Sequence, residues 1–418
     1  MKNRIFHMLL FITASLAIII LLCSPSFLFN GIYRKDIRNL AVYQTIAPQR
    51  LFIASWRNIK SLYIDPSMNH QDWNRWKYKY LKYIKTDEDV RVAINTMLAS
   101  LNDEYSEFFD TKKYKLQEKY IQDNVDSLTD SKKSKSATVE LETIAGVVYS
   151  AKVVRKSDFY ENPEKDDIIV SINNYPICGM EMNSATKLIR GTSQFAKAEV
   201  LRDGKKLTYT VQSGSMDVRK VAFKYIDDNI VYISVYSLMG FKTPKTFKMI
   251  SEWDNNINGY IIDLRGDVGG LFLNGIYIAD IFIDKGELLK IKYRNGKIIP
   301  VTANQKPTTP QKPLVVLVDN KTASASEILA GALKKNNRAI IVGEETYGKN
   351  IIQQIIYMPN KTCINLSSAQ YIFDDNHLKK HKIEPDYVVP ITMEDILKHK
   401  DPQLDKAVEI IKKEREKN

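Results

Sequence analysis

Two residues of types that can form a nucleophile and its base, Ser324 and Lys349, each follow a short apolar run. Ser324 comes after Leu314 to Val318, a valine-rich run that is too short for a buried helix and is typical of a buried strand in a parallel sheet. Lys349 lies a few residues beyond a second run, Ala339 to Val342. The ends of parallel strands gather on one edge of a sheet, where ligands bind in open α/β folds. The pattern therefore favours a site at which the serine and the lysine could meet.

The chemistry open to this pair is nucleophilic catalysis by an activated hydroxyl. A serine hydroxyl attacks poorly until a base takes its proton, and serine-lysine pairs are one variant of that arrangement. The lysine must be a neutral amine, so its pKa, about 10.4 in a peptide, has to fall toward neutrality. Burial shifts the pKa in that direction, and the apolar neighbours Ile351 and Ile352 are consistent with burial.

Both residues also have an interpretation without chemistry. Ser324-x-x-Glu327 fits a capping box, which stabilises a helix start by about 1 kcal/mol. The apolar residues that follow it have helical spacing: Ile328, Leu329, Ala332 and Leu333. Spacing alone favours this cap. A lone lysine such as Lys349 is usually a solvated surface charge.

The residues around the pair resemble a known family. Thr322 to Leu333 reads T-A-S-A-S-E-I-L-A-G-A-L, and Gly343 to Lys349 reads G-E-E-T-Y-G-K, with Gln353 four residues later. These motifs are similar to those of the carboxyl-terminal processing (tail-specific) protease family of serine peptidases. The resemblance implies that Ser324 is the nucleophile, Lys349 the general base and Gln353 the residue that orients the lysine. It also implies an endopeptidase that needs no cofactor and recognises protein substrates by their carboxyl-terminal tails.

An oxyanion formed on such a serine needs hydrogen-bond donors, each worth a factor of about 100 to 1000 in rate. The amide of Ala325, at the helix start, is one candidate donor, and the amides of Gly269 and Gly270 are two others. The glycines end the run Leu264-Arg265-Gly266-Asp267-Val268-Gly269-Gly270, which resembles the family's L-R-x-N-P-G-G turn with Asp267 and Val268 in place of Asn and Pro. A double glycine is more often a turn without any catalytic role.

The resemblance also implies the fold: a multi-domain α/β protein with a crotonase/ClpP-like α/β protease core, an N-terminal helical region, a PDZ-like β-rich domain and an N-terminal membrane anchor. Strand-like runs that alternate with helical stretches support the core: Ile230 to Val235, Tyr260 to Leu264 and the two runs already named. The predicted boundaries are 1–33 for a signal peptide or transmembrane anchor, 34–120 for the helical region, 121–137 for a flexible linker, 138–215 for the PDZ-like domain, 216–400 for the protease core and 401–418 for a C-terminal helix.

The segment from Asp167 to the hairpin Leu201–Lys205 resembles the second half of a PDZ domain. Such domains bind a peptide by adding it to a sheet edge and hold its terminal carboxylate in a loop of backbone amides. The candidate peptide-binding residues are Ile144, Gly146, Val147 and Leu188. The loop departs from the family pattern because Gly146 stands where a glycine-bracketed apolar motif is usual. A purely structural domain is the alternative.

The first thirty residues predict an export signal or an anchor. Lys2 and Arg4 precede a stretch without charged residues, Ile5 to Phe29, which is long enough to span a bilayer. The apolar core is longer than a cleavable signal needs, so we favour an uncleaved anchor. With the family resemblance, this places the protein in a bacterial inner membrane with its catalytic domain facing the periplasm, or outside the cell membrane if the leader is cleaved.

Composition excludes some other functions. The chain has 418 residues and a net charge of +12, but its lysines are scattered, and no zinc-finger spacing or RNA-binding signature occurs, so nucleic-acid binding is not expected. His377, His381 and Glu384 lack the order of a zinc motif, so no metal is expected. We expect no disulfide among three widely separated cysteines. A homo-oligomer or an adaptor partner is left open, and the alternative function is a catalytically weak or inactive scaffold that binds protein carboxyl termini.

Overall fold

The computed structural model of the protein describes residues 44–115, 136–156, 163–191, 194–240, 243–251, 256–303, 312–373 and 381–416. Within these residues the chain forms two compact units. The first takes the described parts of Met1–Ile121, Leu289–Asn304 and Asn350–Asp375, and the second takes those of Gln122–Leu288, Gln305–Lys349 and Asn376–Asn418. The predicted leader, 1–33, and nearly all of the predicted linker, 121–137, lie outside the described residues.

The helices, in chain order, are α1 Pro48–Leu62, α2 Asn74–Tyr80, α3 Asp87–Ala99, α4 Met182–Arg190, α5 Thr243–Ser251, α6 Phe272–Phe282, α7 Ala325–Lys335, α8 Met393–Leu397 and α9 Pro402–Glu416. The strands are β1 Glu107–Phe109, β2 Ala137–Ile144, β3 Val147–Arg155, β4 Ile168–Ile172, β5 Tyr175–Pro176, β6 Phe195–Arg202, β7 Lys205–Gln212, β8 Met216–Val218, β9 Val221–Ile226, β10 Ile230–Val235, β11 Gly259–Asp263, β12 Glu287–Tyr293, β13 Ile298–Thr302, β14 Leu314–Val318, β15 Ile340–Gly343, β16 Ile351–Met358, β17 Thr362–Ile372 and β18 Tyr387–Val388.

The first unit packs the N-terminal helices on an antiparallel sheet. Helix α1 buries one apolar stripe, including Phe52 and Ile59, and α3 starts at a capping box in which Thr86 and Asp89 bond each other's backbone amides. Helix α1 packs against β17 and α3 against β1, and the apolar core that the two helices share includes Ile364 and Leu366 of β17. The sheet order is β1-β17-β12-β13, with β16 also paired to β17.

The second unit contains the sheet that carries the two predicted strands. Its order is β18-β15-β14-β11-β10-β9, and every neighbouring pair is parallel except β9 with β10. All five residues of β14 are buried, as expected for a central parallel strand. On one side of the sheet, the C-terminal helix α9 packs Ala407, Ile410 and Ile411 against strand residues. Helices α6 and α7 pack against each other, and both are largely buried.

The residues expected to form the PDZ-like domain fold as a second sheet in the same unit. Its order is β7-β6-β4-β3-β2-β8, with the short β5 paired to β4 and helix α4 contributing to its apolar core. The predicted Asp203-Gly204 turn joins β6 to β7 in an antiparallel hairpin. No helix in the described part of the chain combines the length and the apolar character that crossing a membrane requires.

Candidate active site

Three loops of the second unit leave the carboxyl ends of adjacent parallel strands. Strand β11 leads into the glycine turn at Gly266, β14 leads into the turn that contains Ser324, and β15 leads into the turn that ends at Lys349. Because β14 lies between β11 and β15, its serine turn has the other two loops on either side. The sheet therefore positions all three loops on one edge.

Ser324 occupies the junction between β14 and α7 in a conformation that non-glycine residues seldom adopt, with φ 57° and ψ −119°. Such backbone strain costs about 1 to 3 kcal/mol and persists only where the surroundings fix it. The surroundings here are backbone hydrogen bonds on both sides of the serine. The N–H of Ala323 donates to the carbonyl of Asp267 at 3.1 Å, and the N–H of Ser324 donates to Glu327 at 2.8 Å. The serine itself is partly exposed.

The Glu327 carboxylate links the serine turn to the lysine turn. It accepts the amide of Ser324, and it also accepts the amides of Gly348 at 2.6 Å and Lys349 at 2.9 Å. The buried hydroxyl of Thr346 donates to it at 2.6 Å. Burial raises the pKa of Glu327, whereas its hydrogen bonds lower it. The predicted glutamate contact of the capping box is thus present, but the same carboxylate also fixes a second loop. The sequence motif S-x-x-E indicated only the first of these contacts.

Gly269 lies directly against the serine turn. A Cβ at Gly269 would be 2.4 Å from the carbonyl oxygen of Ala323, 2.8 Å from the amide nitrogen of Ala325 and 3.1 Å from the Cβ of Ser324. Its φ of 93° also favours glycine. Of the three predicted oxyanion donors, Gly269 and Ala325 are therefore neighbours of each other and of Ser324.

Gly270, the third predicted donor, packs against Leu238. It forms an isolated parallel bridge with Leu238, and a Cβ on it would be 2.1 Å from the carbonyl carbon of Leu238. The close approach explains why glycine is needed at this position. Gly270 thereby fastens the glycine turn to the loop that follows β10.

Asp267, in the family's asparagine position, is buried beneath the glycine turn. Its carboxylate accepts the N–H of Gly269 at 2.9 Å and the hydroxyl of Ser326 at 2.8 Å. Burial raises the pKa of Asp267 to about 7, although both hydrogen bonds act in the opposite direction. Sequence comparison with the family motif identified the substitution but not these contacts.

Lys349 and Gln353 fall in different compact units. Lys349 is partly exposed at the end of the turn after β15, and its backbone is held by Glu327. Gln353 lies in β16, where its side-chain amide donates to the carbonyl of Tyr105 at 2.6 Å. The carbonyl of Asn350, the residue in place of a family glycine, accepts the N–H of Tyr371.

The predicted peptide-binding residues divide into two groups. Ile144, Gly146 and Val147 form the tip of the β2–β3 hairpin, where a Cβ on Gly146 would be 3.0 Å from the Cα of Gly266. This tip therefore touches the glycine turn of the candidate site. Leu188 instead lies on α4, where it packs against the core of the second sheet. Of the three residues that lack the order of a zinc motif, His377 lies outside the described residues.

The model of peptidase family S41 matches residues 229–389. The carboxyl-terminal-processing protease of Synechocystis sp. is 28% identical over 378 residues, which cover 87% of this chain and 86% of that protein. The carboxy-terminal processing protease CtpA of Bacillus subtilis is 30% identical over 313 residues, which cover 72% of this chain and 65% of that protein.

Two solved structures share the fold of the chain. The photosystem II D1 C-terminal processing protease has a TM-score of 0.53 at 24% identity and covers 85% of this chain and 97% of its own. A lipoprotein from Streptococcus agalactiae has a TM-score of 0.54 at 12% identity and covers 90% of this chain and 100% of its own. The sequence matches show a serine-type peptidase in which residues 229–389 match peptidase family S41 and most of the chain is similar to carboxyl-terminal processing proteases, whereas the two solved structures show the shared fold.

Proposed function

We propose that the protein is a serine endopeptidase of the carboxyl-terminal processing type, with Ser324 as nucleophile, Lys349 as general base and Gln353 as the residue that orients the lysine. The observation that carries the proposal is the Glu327 carboxylate, which binds the amide of Ser324 and the amide of Lys349 at once. A nucleophile and a base on separate loops must be held in a fixed relation, and one buried carboxylate supports that relation.

The reaction follows from these roles. The Ser324 Oγ forms a bond to the substrate carbonyl carbon while its proton passes to the neutral Lys349 amine. The oxyanion that results accepts the N–H groups of Ala325 and Gly269, the two donors that lie against the serine turn. Lys349 then gives the proton to the leaving amine nitrogen as the peptide bond breaks. Water hydrolyses the acyl-enzyme ester and restores the serine hydroxyl.

Tail recognition is the second part of the proposal. The PDZ-like sheet adds an extended carboxyl-terminal segment of the substrate to one of its edges, and Ile144, Gly146, Val147 and Leu188 are the residues we assign to it. Contact between Gly146 and Gly266 supports a connection from this sheet to the glycine turn. The side-chain amide of Asn183 adds a second connection, because it donates to the carbonyl of Gly266 at 2.8 Å.

The proposal also includes attachment to a membrane through the leader. The uncharged stretch Ile5 to Phe29 is long enough to cross a bilayer, and the two cations before it suit a cytoplasmic end. A bacterial inner-membrane position with a periplasmic catalytic domain follows. Fractionation of cells that express the full chain tests this part, and recovery of the whole protein in the soluble fraction would contradict an uncleaved anchor.

The catalytic roles are tested with Ser324→Ala and Lys349→Ala. We expect each variant to lose cleavage of a peptide with a free apolar carboxyl terminus by at least about 1000-fold, because the nucleophile or its base is gone. Matched controls are Ser61→Ala and Lys297→Ala, which change exposed residues. A fluorophosphonate probe should label the wild type at Ser324 and should not label Ser324→Ala.

Two outcomes would oppose the proposal. Full activity in Ser324→Ala or Lys349→Ala would exclude the pair as the catalytic machinery. A wild type that binds the peptide but neither cleaves it nor reacts with the probe would favour the scaffold function instead. An amidated peptide of the same sequence tests tail recognition, since it should be cleaved more slowly than the free acid.

A further inference from the structure

Asp267 accepts a hydrogen bond from the Gly269 amide, and in the proposed reaction the same amide donates to the oxyanion. Its Oδ1 accepts the N–H of Gly269 at 2.9 Å, and its Oδ2 accepts the hydroxyl of Ser326 at 2.8 Å. Asp267 is only 1% exposed, so water competes weakly for either oxygen. Gly269 lies against Ser324 and Ala325, where the oxyanion would form. The carboxyl group and the oxyanion therefore share one donor.

The strength of this competition depends on the charge of Asp267. A hydrogen bond to an ionised carboxylate is roughly twice as strong as one to a neutral acceptor. Ionised Asp267 also repels the negative charge of the oxyanion, because the buried surroundings screen the two charges less than water does. Protonation of Asp267 weakens both effects. The neutral acid still accepts the N–H of Gly269, and its own hydroxyl can donate to the Ser326 oxygen.

The immediate neighbours of Asp267 keep its ionisation within the range of physiological pH. Burial is the largest cause that raises its pKa to about 7. Asp319, in the turn after β14, raises the pKa further by its negative charge, whereas the hydrogen bonds from Gly269 and Ser326 lower it. No ion pair joins Asp267 to a cation within the described ranges.

The other charged groups on the surrounding elements are engaged with different partners. On the same turn, Arg265 binds Asp263 and Asp401. After β14, the exposed Lys321 pairs with Glu181. On α7, Glu327 accepts donors of the serine and lysine turns. The hairpin tip at 144–147 carries no titratable side chain.

We infer that Asp267 is a positioning residue that controls the availability of the Gly269 amide, so that ionised Asp267 restrains the peptidase and protonated Asp267 releases it. The inference rests on the proposed function, because the Gly269 amide matters only if Ser324 attacks a carbonyl. Its chemical consequence is a decline of activity with rising pH, which opposes the gain from deprotonating Lys349. An asparagine at this position, as in the family motif, would resemble the protonated acid at every pH.

The test is the pH profile of kcat and kcat/KM for the full chain and for Asp267→Asn, measured on the same peptide. Asparagine keeps the shape and one acceptor oxygen but carries no charge. We expect the ratio of variant to wild-type kcat/KM to be near one at low pH and to rise through a midpoint near pH 7. The rise should reach roughly tenfold, less than the 100- to 1000-fold effect of losing a donor completely.

Ser326→Ala provides a second readout that a merely structural role would not give. The Ser326 hydroxyl stabilises the ionised form of Asp267, so its removal should move the midpoint of the wild-type decline to higher pH. Asp166→Asn is the matched control, since Asp166 is exposed and its salt bridge to Lys152 lies on the surface. The ratio of kcat/KM for Asp166→Asn to that of the wild type should not vary with pH.

The outcomes separate this inference from the proposed function. A ratio for Asp267→Asn that is independent of pH, in enzymes that both cleave the peptide and label at Ser324, overturns the inference and leaves the function intact. Absence of cleavage and labelling in the wild type at every pH overturns both. If Asp267→Asn does not fold, the Ser326→Ala profile decides: an upward shift of the midpoint supports the inference, and an unchanged midpoint overturns it.

Discussion

At the scale of single residues, the site depends on carboxylates that are buried but well supplied with donors. An ionised carboxylate in a protein interior is unfavourable unless hydrogen bonds replace its water shell. Glu327 has four such donors, from Ser324, Thr346, Gly348 and Lys349. Each donor belongs to the serine turn or the lysine turn, so the same contacts that satisfy the carboxylate also fix the geometry of the loops.

Thr346 offers a test of this arrangement that leaves the proposed catalytic residues unchanged. Its hydroxyl donates to Glu327 at 2.6 Å and accepts the N–H of Ile383 at 2.8 Å. Thr346→Val removes both bonds within a buried site, and we expect a loss of about 2 to 4 kcal/mol in the free energy of unfolding. Cleavage should also slow, because the turn that carries Lys349 loses one of its supports.

Thr346→Ser is the matched variant, since it keeps the hydroxyl and loses only a methyl group. We expect it to retain most of the activity and to lose no more than about 1 kcal/mol of stability. Urea denaturation and the kcat of peptide cleavage are the measurements. If valine and serine at position 346 have equal effects, the hydroxyl does not support the lysine turn.

At the scale of elements, the central strands were predictable from sequence because they are short, continuous apolar runs. The runs at 230–235 and 314–318 coincide with β10 and β14, and that at 339–342 is shifted by one residue from β15. The start of α7 after Ser324 follows from helical spacing and the S-x-x-E motif. Burial on both faces makes such strands easy to recognise, since they need no alternation of polar and apolar residues.

The β16–β17 hairpin was not predicted, and its turn explains why. Asn360 and Lys361 both adopt positive φ, 61° and 53°, in the tight connection between the strands. Asparagine followed by glycine is the sequence pattern that predicts such a turn, and here Lys361 takes the place of the glycine. The run I-I-Q-Q-I-I of β16 also lacks the alternation typical of a strand. Contacts such as Asp267 with Gly269 were equally hidden, because motif spacing does not reveal side-chain direction.

The β2–β3 hairpin tip allows a test of communication between the second sheet and the glycine turn. Gly146→Ala introduces a Cβ 3.0 Å from the Cα and 3.2 Å from the nitrogen of Gly266, in addition to strain at a φ of 72°. We expect a loss of stability of about 1 to 2 kcal/mol from strain and a clear decrease in peptide cleavage, because the turn that carries the proposed oxyanion donor is displaced.

Gly204→Ala is the matched control for strain alone. Gly204 has nearly the same φ, 74°, in the turn between β6 and β7, and a Cβ on it would meet no atom within 4 Å. Gly204→Ala should therefore lower Tm through strain alone, Gly146→Ala should lower it at least as much because of the added contact with Gly266, and only Gly146→Ala should slow cleavage. Equal activity of the two variants would show that the hairpin tip does not act on the glycine turn.

At the scale of the whole molecule, the glycine turn is tied to the far end of the chain. The Arg265 guanidinium is almost fully buried and forms paired hydrogen bonds with Asp263 and with Asp401, 136 residues later. Gln403, in the first turn of α9, also accepts from Arg265 at 3.0 Å. The charged end of α9 is largely exposed, but its first turn is part of this buried network. The C-terminal helix thus supports the loop that precedes Gly269.

Asp401→Asn tests that support. Removal of one carboxylate leaves the buried Arg265 with Asp263 as its remaining charged partner, and we expect a loss of roughly 3 kcal/mol in the free energy of unfolding. Hydrogen exchange should accelerate in α9 and in the turn that carries Gly269, and kcat should fall. Asp405→Asn makes the same charge change at an exposed position of the same helix, so it should alter stability by no more than about 0.5 kcal/mol. If the exchange of α9 rises in Asp401→Asn while that of the glycine turn and kcat stay at wild-type values, then the helix is held by Arg265 without supporting the site in return.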